Sequence, residues 1–140
     1  MRKKILIVED NAELLALLRL ALRRAGFAVS SATNGVAGLK KIRSLIPDLL
    51  VLDLVLPEMD GFAVCEAVRR DRNLCRTPVI LLTGLTSAFS RYAGLESGAD
   101  DYVTKPISPE QLVSKIRKRL RLGGQKRTAI SSNKDTESPG

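Results

Sequence analysis

Five short segments of this chain carry consecutive apolar residues bounded by turn or charge signals. They are residues 4–9 (Ile5-Leu6-Ile7-Val8), 27–32, 49–53 (Leu49-Leu50-Val51-Leu52), 79–83 (Val79-Ile80-Leu81-Leu82) and 101–104. Runs of this length and composition predict strands, and those apolar throughout predict strands buried on both faces. Helical periodicity fills the gaps. Residues 11–25 place Leu14, Leu17, Leu18, Ala21, Leu22 and Ala25 at i, i+3, i+4 spacing, so these are expected to face inward. Asp10 and Asn11 both offer N-caps, Asp10-x-x-Glu13 has capping-box spacing, and Gly26 closes the helix.

Asn34-Gly35 marks a turn ahead of a second helix, 36–45, with Val36, Leu39, Ile42 and Leu45 or Ile46 on one face and Pro47 ending it. Residues 61–71 form a third helix, with Phe62, Val64, Cys65 and Val68 as its apolar positions. A weaker fourth helix starts at a Thr86 or Ser87 cap and ends near Ser97. Ser90 and Gly94 lower its propensity. Ser108 caps a fifth, with Pro109 at its first position and Leu112, Val113, Ile116 and Leu120 inward, ending near Leu122. From Gly123 the apolar residues nearly vanish, so the expected division is a domain over 1–122 and a disordered tail or truncated linker over 123–140. Strictly alternating strands and helices imply right-handed βαβ units. The expected class is α/β, a flavodoxin-like (βα)5 fold whose central five-stranded parallel sheet has strand order 2-1-3-4-5.

Composition narrows the chemistry. The 140 residues, 44% of them hydrophobic, suit one domain with a sizeable core. No apolar run approaches the roughly 18 residues of a membrane span. Glu9 and Asp10 cut short the faint resemblance of the N-terminus to a signal peptide, so a cytoplasmic location is expected. Two cysteines and no histidine exclude His-dependent nucleophilic catalysis and most zinc sites. A net charge of +8 gathers at Arg2-Lys3-Lys4, at Arg69-Arg70 and along Lys115 to Arg121. Attraction to nucleic acid or to an acidic partner is one reading of this charge; a set of solvated helix faces is the favoured one, since no nucleic-acid-binding motif is visible and aromatics are few.

The predicted topology brings distant residues together. In parallel α/β sheets, ligands bind outside the carboxyl ends of the strands. At that edge strand one offers Glu9 and Asp10, strand three Asp53, strand four Thr83 and strand five Lys105. Three carboxylates side by side repel unless a cation binds, and an all-oxygen set suits Mg²⁺. Asp53, the central carboxylate, can act as a nucleophile of the aspartyl-phosphate kind. Lys105 and the metal would neutralise a transferring phosphoryl group, and the Thr83 hydroxyl could donate to it.

These residues resemble the receiver domain of two-component response regulators over residues 4–122. The matching motifs are Ile5-Leu6-Ile7-Val8-Glu9-Asp10, Asp53-x-x-x-Pro57-x-Met59-Asp60-Gly61, Leu81-Leu82-Thr83-Gly84 and Gly98-Ala99-Asp100-Asp101-Tyr102-x-x-Lys105-Pro106. The resemblance implies a phosphorylation-dependent switch rather than an enzyme. Asp53 would be the phosphoacceptor; Glu9, Asp10, Asp53 and the Val55 backbone carbonyl would hold Mg²⁺; Thr83 and Lys105 would contact the phosphoryl group. It also implies a cis Lys105–Pro106 bond and an aromatic switch at Tyr102 that responds to Thr83. A histidine kinase or phosphotransfer protein would be the donor, and the face of helix 4, strand 5 and helix 5 would bind a partner or form a homodimer.

This sequence departs from the family pattern at three places. Val55 and Leu85 are apolar beside the site, which implies slow self-dephosphorylation, and Ile107 stands where Phe is commoner. Rival readings are a haloacid-dehalogenase-type phosphatase, a flavodoxin-like cofactor binder and a docking receiver that is never phosphorylated. The first wants a second acid two residues after Asp53, where Val55 stands. The second lacks a phosphate loop after strand one. The intact acid, threonine and lysine set opposes the third.

Overall fold

The computed structural model describes residues 2–122. Its strands are β1 (Lys4–Val8), β2 (Ala28–Ala32), β3 (Leu49–Leu52), β4 (Val79–Thr83) and β5 (Asp101–Thr104). Its helices are α1 (Ala12–Arg24), α2 (Gly35–Leu45), α3 (Gly61–Arg70), α4 (Ala88–Glu96) and α5 over 109–122. All strand pairs are parallel, in the order β2-β1-β3-β4-β5, as the alternation of elements predicts. β1, β3 and β4 are covered on both faces, which is why their runs are continuous rather than alternating.

Two apolar layers hold the sheet. On one face Leu6, Val8, Leu50, Leu52 and Leu81 pack with Ile42 of α2 and with Val64, Cys65 and Val68 of α3. On the other, Ile5, Ile7, Val51, Ile80 and Leu82 pack with Leu15, Leu18 and Leu22 of α1 and with Leu112 and Ile116 of α5. The helix-end chemistry is explicit. The Asn11 side chain accepts from the Leu14 amide, so Asn11 rather than Asp10 caps α1, and Asp10 is left exposed for other work. Asn34 caps α2 in the same way, so Asn34-Gly35 is a helix start rather than a free-standing turn. Ser87, not Thr86, caps α4. Ser108 and Gln111 exchange reciprocal hydrogen bonds of 3.1 and 3.0 Å at the start of α5.

Three residues expected to face the core do not. Leu17 is half exposed, and Val36 and Ile46 are exposed as well. In α1 the buried row is Leu15, Leu18 and Leu22, a narrower stripe than the leucine pattern suggests, because one sheet face can cover only part of a helix so rich in leucine. Ile46 leaves the helix in a left-handed conformation (φ 47°) ahead of Pro47, and that turns its side chain outward.

Candidate functional site

Register delivers the acidic residues to one place. Val8 pairs with Leu52 across β1 and β3, so Glu9 and Asp53, the next residues along, leave the sheet side by side. The Asp53 amide is fixed by the Val8 carbonyl at 3.1 Å. Glu9 and Asp53 are almost fully buried, whereas Asp10 is exposed. One carboxylate oxygen from each of Glu9, Asp10 and Asp53 lies within 4.8 Å of the other two. An oxygen-only donor set of this compactness, with one open and two buried members, fits a hard cation such as Mg²⁺. The sequence contains no histidine to bias the site toward softer metals.

Lys105 closes the cluster. Its Nζ lies 2.8 Å from Glu9 Oε1 and 3.0 Å from Asp53 Oδ2. Burial pulls the ammonium's pKa down, but the hydrogen bonds and charges of Glu9 and Asp53 outweigh it, and the net displacement is upward. Lys105 therefore stays a cation at neutral pH, as two buried carboxylates require. The Lys105–Pro106 peptide is cis, and the Lys105 amide is anchored on the Thr83 carbonyl at 2.8 Å.

The loop after β3 wraps the central carboxylate. The Val55 amide donates to Asp53 Oδ1 at 3.2 Å, while the Val55 side chain is 59% exposed at the mouth of the site. Gly61 starts α3 under this loop, its amide donating to the Leu54 carbonyl. A Cβ at Gly61 would collide with the Asp53 backbone carbonyl. Glu58, in the same loop, adopts a left-handed φ of 71°.

A chain of contacts leads away from Thr83. Thr83 is fully buried, and its Oγ1 accepts from the Leu85 amide at 3.3 Å. The Leu85 carbonyl in turn accepts from the Tyr102 hydroxyl at 2.7 Å. Tyr102 is therefore inward and bonded, and its hydroxyl is not left to water. Arg91 of α4 lies over the Tyr102 ring, 4.9 Å from its centroid, and donates to the Tyr102 carbonyl at 3.2 Å. Burial is the largest influence on the phenol and raises its pKa. Arg91 and a hydrogen bond with Ser90 oppose this, and Asp53 adds to it.

Every expected site residue thus lies at the carboxyl edge of the sheet or one step behind it. The Leu85 bridge, the Arg91 stacking and the left-handed Glu58 have no counterpart in the sequence reading. A backbone relay carries no side-chain signature. The Ser108–Gln111 box goes beyond the single Ser108 cap expected, and its Ser-x-x-Gln spacing is the signal that marks it.

Comparison with known proteins agrees with this geometry. A family model described as the response regulator receiver domain matches residues 5–117. The DNA-binding response regulator MtrA of Mycolicibacterium paratuberculosis is 41% identical over 137 residues, covering 98% of this chain and 60% of its own. The alkaline phosphatase synthesis transcriptional regulatory protein PhoP of Bacillus subtilis is 41% identical over 121 residues, covering 86% of this chain and 50% of its own. The chain thus spans about half to three fifths of these curated relatives. Among solved structures, a CheY-like receiver domain protein from Methanospirillum hungatei has a TM-score of 0.84 at 31% identity, covering 90% of this chain and 99% of its own. The BeF3-activated receiver domain of Klebsiella pneumoniae RstA has a TM-score of 0.78 at 34% identity, covering 84% and 98%. With its 2-1-3-4-5 parallel sheet and its acid–lysine cluster at the carboxyl edge, this chain belongs to the response regulator receiver domain family of two-component signal transduction.

Proposed function

We propose that Asp53 accepts a phosphoryl group from a phosphohistidine donor and that the resulting charge resets the face built by α4, β5 and α5. The observation that carries this reading is the bridging of Glu9 and Asp53 by the Lys105 ammonium. The ends of three strands bring Glu9, Asp53 and Lys105 to a single point, with Asp53 as the nucleophilic carboxylate. An Asp53 oxygen attacks phosphorus, the phosphorus–nitrogen bond of the donor breaks, and the electron pair leaves with the imidazole. Lys105 balances charge on the phosphoryl oxygens, and the Thr83 hydroxyl turns from its local bond to donate to one of them. Glu9, Asp10, Asp53 and the Val55 carbonyl would hold Mg²⁺, which when bound supplies further neutralisation of the transferring group. Tyr102 would follow Thr83 through Leu85.

The donor is proposed to be a histidine kinase or a phosphotransfer protein, acting in the cytoplasm. No described helix is long and apolar enough to cross a membrane. The output surface is proposed to serve partner binding or homodimerisation. Tyr92 and Leu95 of α4 are exposed beside Arg91, and a groove lined by Arg91, Gln111, Ser114 and Lys115 separates α4 from α5. We read the chain as a switch that assists its own phosphorylation and dephosphorylation rather than as an enzyme acting on other substrates. A phosphatase of the haloacid dehalogenase type is not favoured, because exposed Val55 occupies the position of the second acid.

The test is incubation with a small phosphodonor and Mg²⁺, followed by intact mass. Wild type should gain one base-labile phosphoryl group and Asp53→Asn none. Labelling of both proteins, or of neither, would defeat the reading.

A further inference from the structure

Lys105 apart, most of the basic charge stands away from Asp53. In a parallel α/β sheet every helix ends at the edge where the strands begin. Here that edge is opposite Glu9, Asp10 and Asp53. Acids at that edge are largely consumed. Asp48 accepts from the Lys4 amide, Asp71 pairs with Arg43, Asp100 with Arg69, and Asp101 holds Arg119 through two hydrogen bonds. Glu96, at the end of α4, stays exposed.

Lys3, Arg23, Arg24, Arg117, Lys118 and Arg121 are all exposed, and among the described residues none of them makes an ion pair. Four of the six share one site, with Lys3 and Arg23 on the same edge beside it. Arg24, Arg117, Lys118 and Arg121 line a single cavity between α1 and α5 whose only acid is Glu110. The Arg117 guanidinium donates to the Ala25 carbonyl at 3.2 Å, and Ala28, three residues on, donates to the Lys3 carbonyl at 2.9 Å. The apolar lining of that cavity, Leu17 and Leu20, lies one to two turns of α1 away from Arg24, so the edge itself is charged and polar.

We propose that this edge, formed by Lys3 and the last turns of α1 and α5, is a non-specific binding surface for the phosphate backbone of a nucleic-acid duplex. Favourable interaction of last-turn cations with helix dipoles explains one or two such residues per helix, but not the lack of compensating acids where α1 and α5 meet. Guanidinium forks suit phosphate oxygens, and most of the cluster is arginine. A membrane surface is the poorer fit, since the most exposed aromatics, Phe89 and Tyr92, lie on α4, away from this edge. Single-stranded nucleic acid is also a poorer fit, because no described aromatic at this edge offers a base a stacking surface.

The test uses the full chain and a fluorescent random-sequence DNA duplex, read by anisotropy over a salt series. Binding should weaken steeply with salt. The triple variant Arg117→Gln, Lys118→Gln, Arg121→Gln should bind at least about tenfold more weakly, with the salt slope reduced by about 3, one per lost phosphate contact. A control with the same charge change on the α3 side, Arg70→Gln, Arg72→Gln, Arg76→Gln, should bind nearly as wild type. Lys126 and Arg127 are intact in both variants, so the difference reads the folded surface. Retained phosphorylation of Asp53 and unchanged circular dichroism establish that the variants fold. The proposal is overturned by the absence of salt-dependent duplex binding, by equal losses in both triple variants, or by tighter binding to anionic lipid vesicles or polyglutamate than to duplex at matched charge.

Discussion

The Tyr102 hydroxyl donates to the Leu85 carbonyl at 2.7 Å, and the Leu85 amide donates to Thr83 Oγ1 at 3.3 Å. One residue of backbone therefore joins a fully buried hydroxyl beside the acidic site to an aromatic ring packed against α4. In the proposed switch, Leu85 is the residue through which a movement of Thr83 toward a phosphoryl oxygen would be felt at Tyr102.

Tyr102→Phe removes the donor and leaves the Leu85 carbonyl unpaired. It should lower stability by about 1 kcal/mol in chemical denaturation. The phenol itself should titrate above 10.0, because burial disfavours its charged form. Absorbance at alkaline pH, in a Tyr92→Phe background so that Tyr102 is the tyrosine observed, measures this. The folded value is raised, so the native state binds more protons than the unfolded one above pH 10. The contribution is fully present below the unfolded value and is lost as pH rises through the folded one. A Tyr102 midpoint at or below 10.0 contradicts the buried, bonded ring.

Lys105→Ala should destabilise the protein by about 3 kcal/mol in a chelating buffer, since it leaves Glu9 and Asp53 buried without their cation. Adding Mg²⁺ should recover part of that loss, and Asp53→Asn in the same background should recover more. A double-mutant cycle reads the coupling directly. The Lys105 value is raised by its two carboxylates, so its stabilising charge is fully present below about pH 10.5 and fades only above it. No Mg²⁺ response in Lys105→Ala would count against a metal site at these acids.

Gly61→Ala puts a methyl group against the Asp53 carbonyl, and a backbone atom cannot swing aside. Stability should fall by about 3 kcal/mol, and phosphorylation should slow because Asp53 must shift. Gly84→Ala, next to Thr83 but with nothing within 4 Å of the added carbon, should change stability far less. Equal effects at the two glycines would show that the loop after β3 yields.

Val55 lies 59% exposed at the mouth of the site, and partly buried Leu85 follows Thr83 by two residues. Both are apolar, and neither can orient a water for attack on the acyl phosphate. Phosphorylated protein freed of donor should keep its label for minutes or longer, and Val55→Asn should shorten that time. Decay within seconds in wild type would refute the assignment.

The sequence by itself determined the alternation of strands and helices, the parallel sheet and the residues at its carboxyl edge. Continuous apolar runs such as Leu49 to Leu52 are local signals, and a strand covered on both faces has no other composition available. Because the strands of a parallel sheet all end at one edge, the topology alone gathers Glu9, Asp10, Asp53, Thr83 and Lys105 there. Tertiary structure alone decided three other things. It chose which leucines of α1 are buried, since Leu15 and Leu17 are chemically equivalent and only the sheet's position separates them. It chose which neighbouring polar residue caps a helix, Asn11 over Asp10, and so freed Asp10 for the acidic cluster. And it made the relay from Thr83 through Leu85 to Tyr102, because hydrogen bonds to backbone atoms depend on where the chain passes and not on which side chain it carries there.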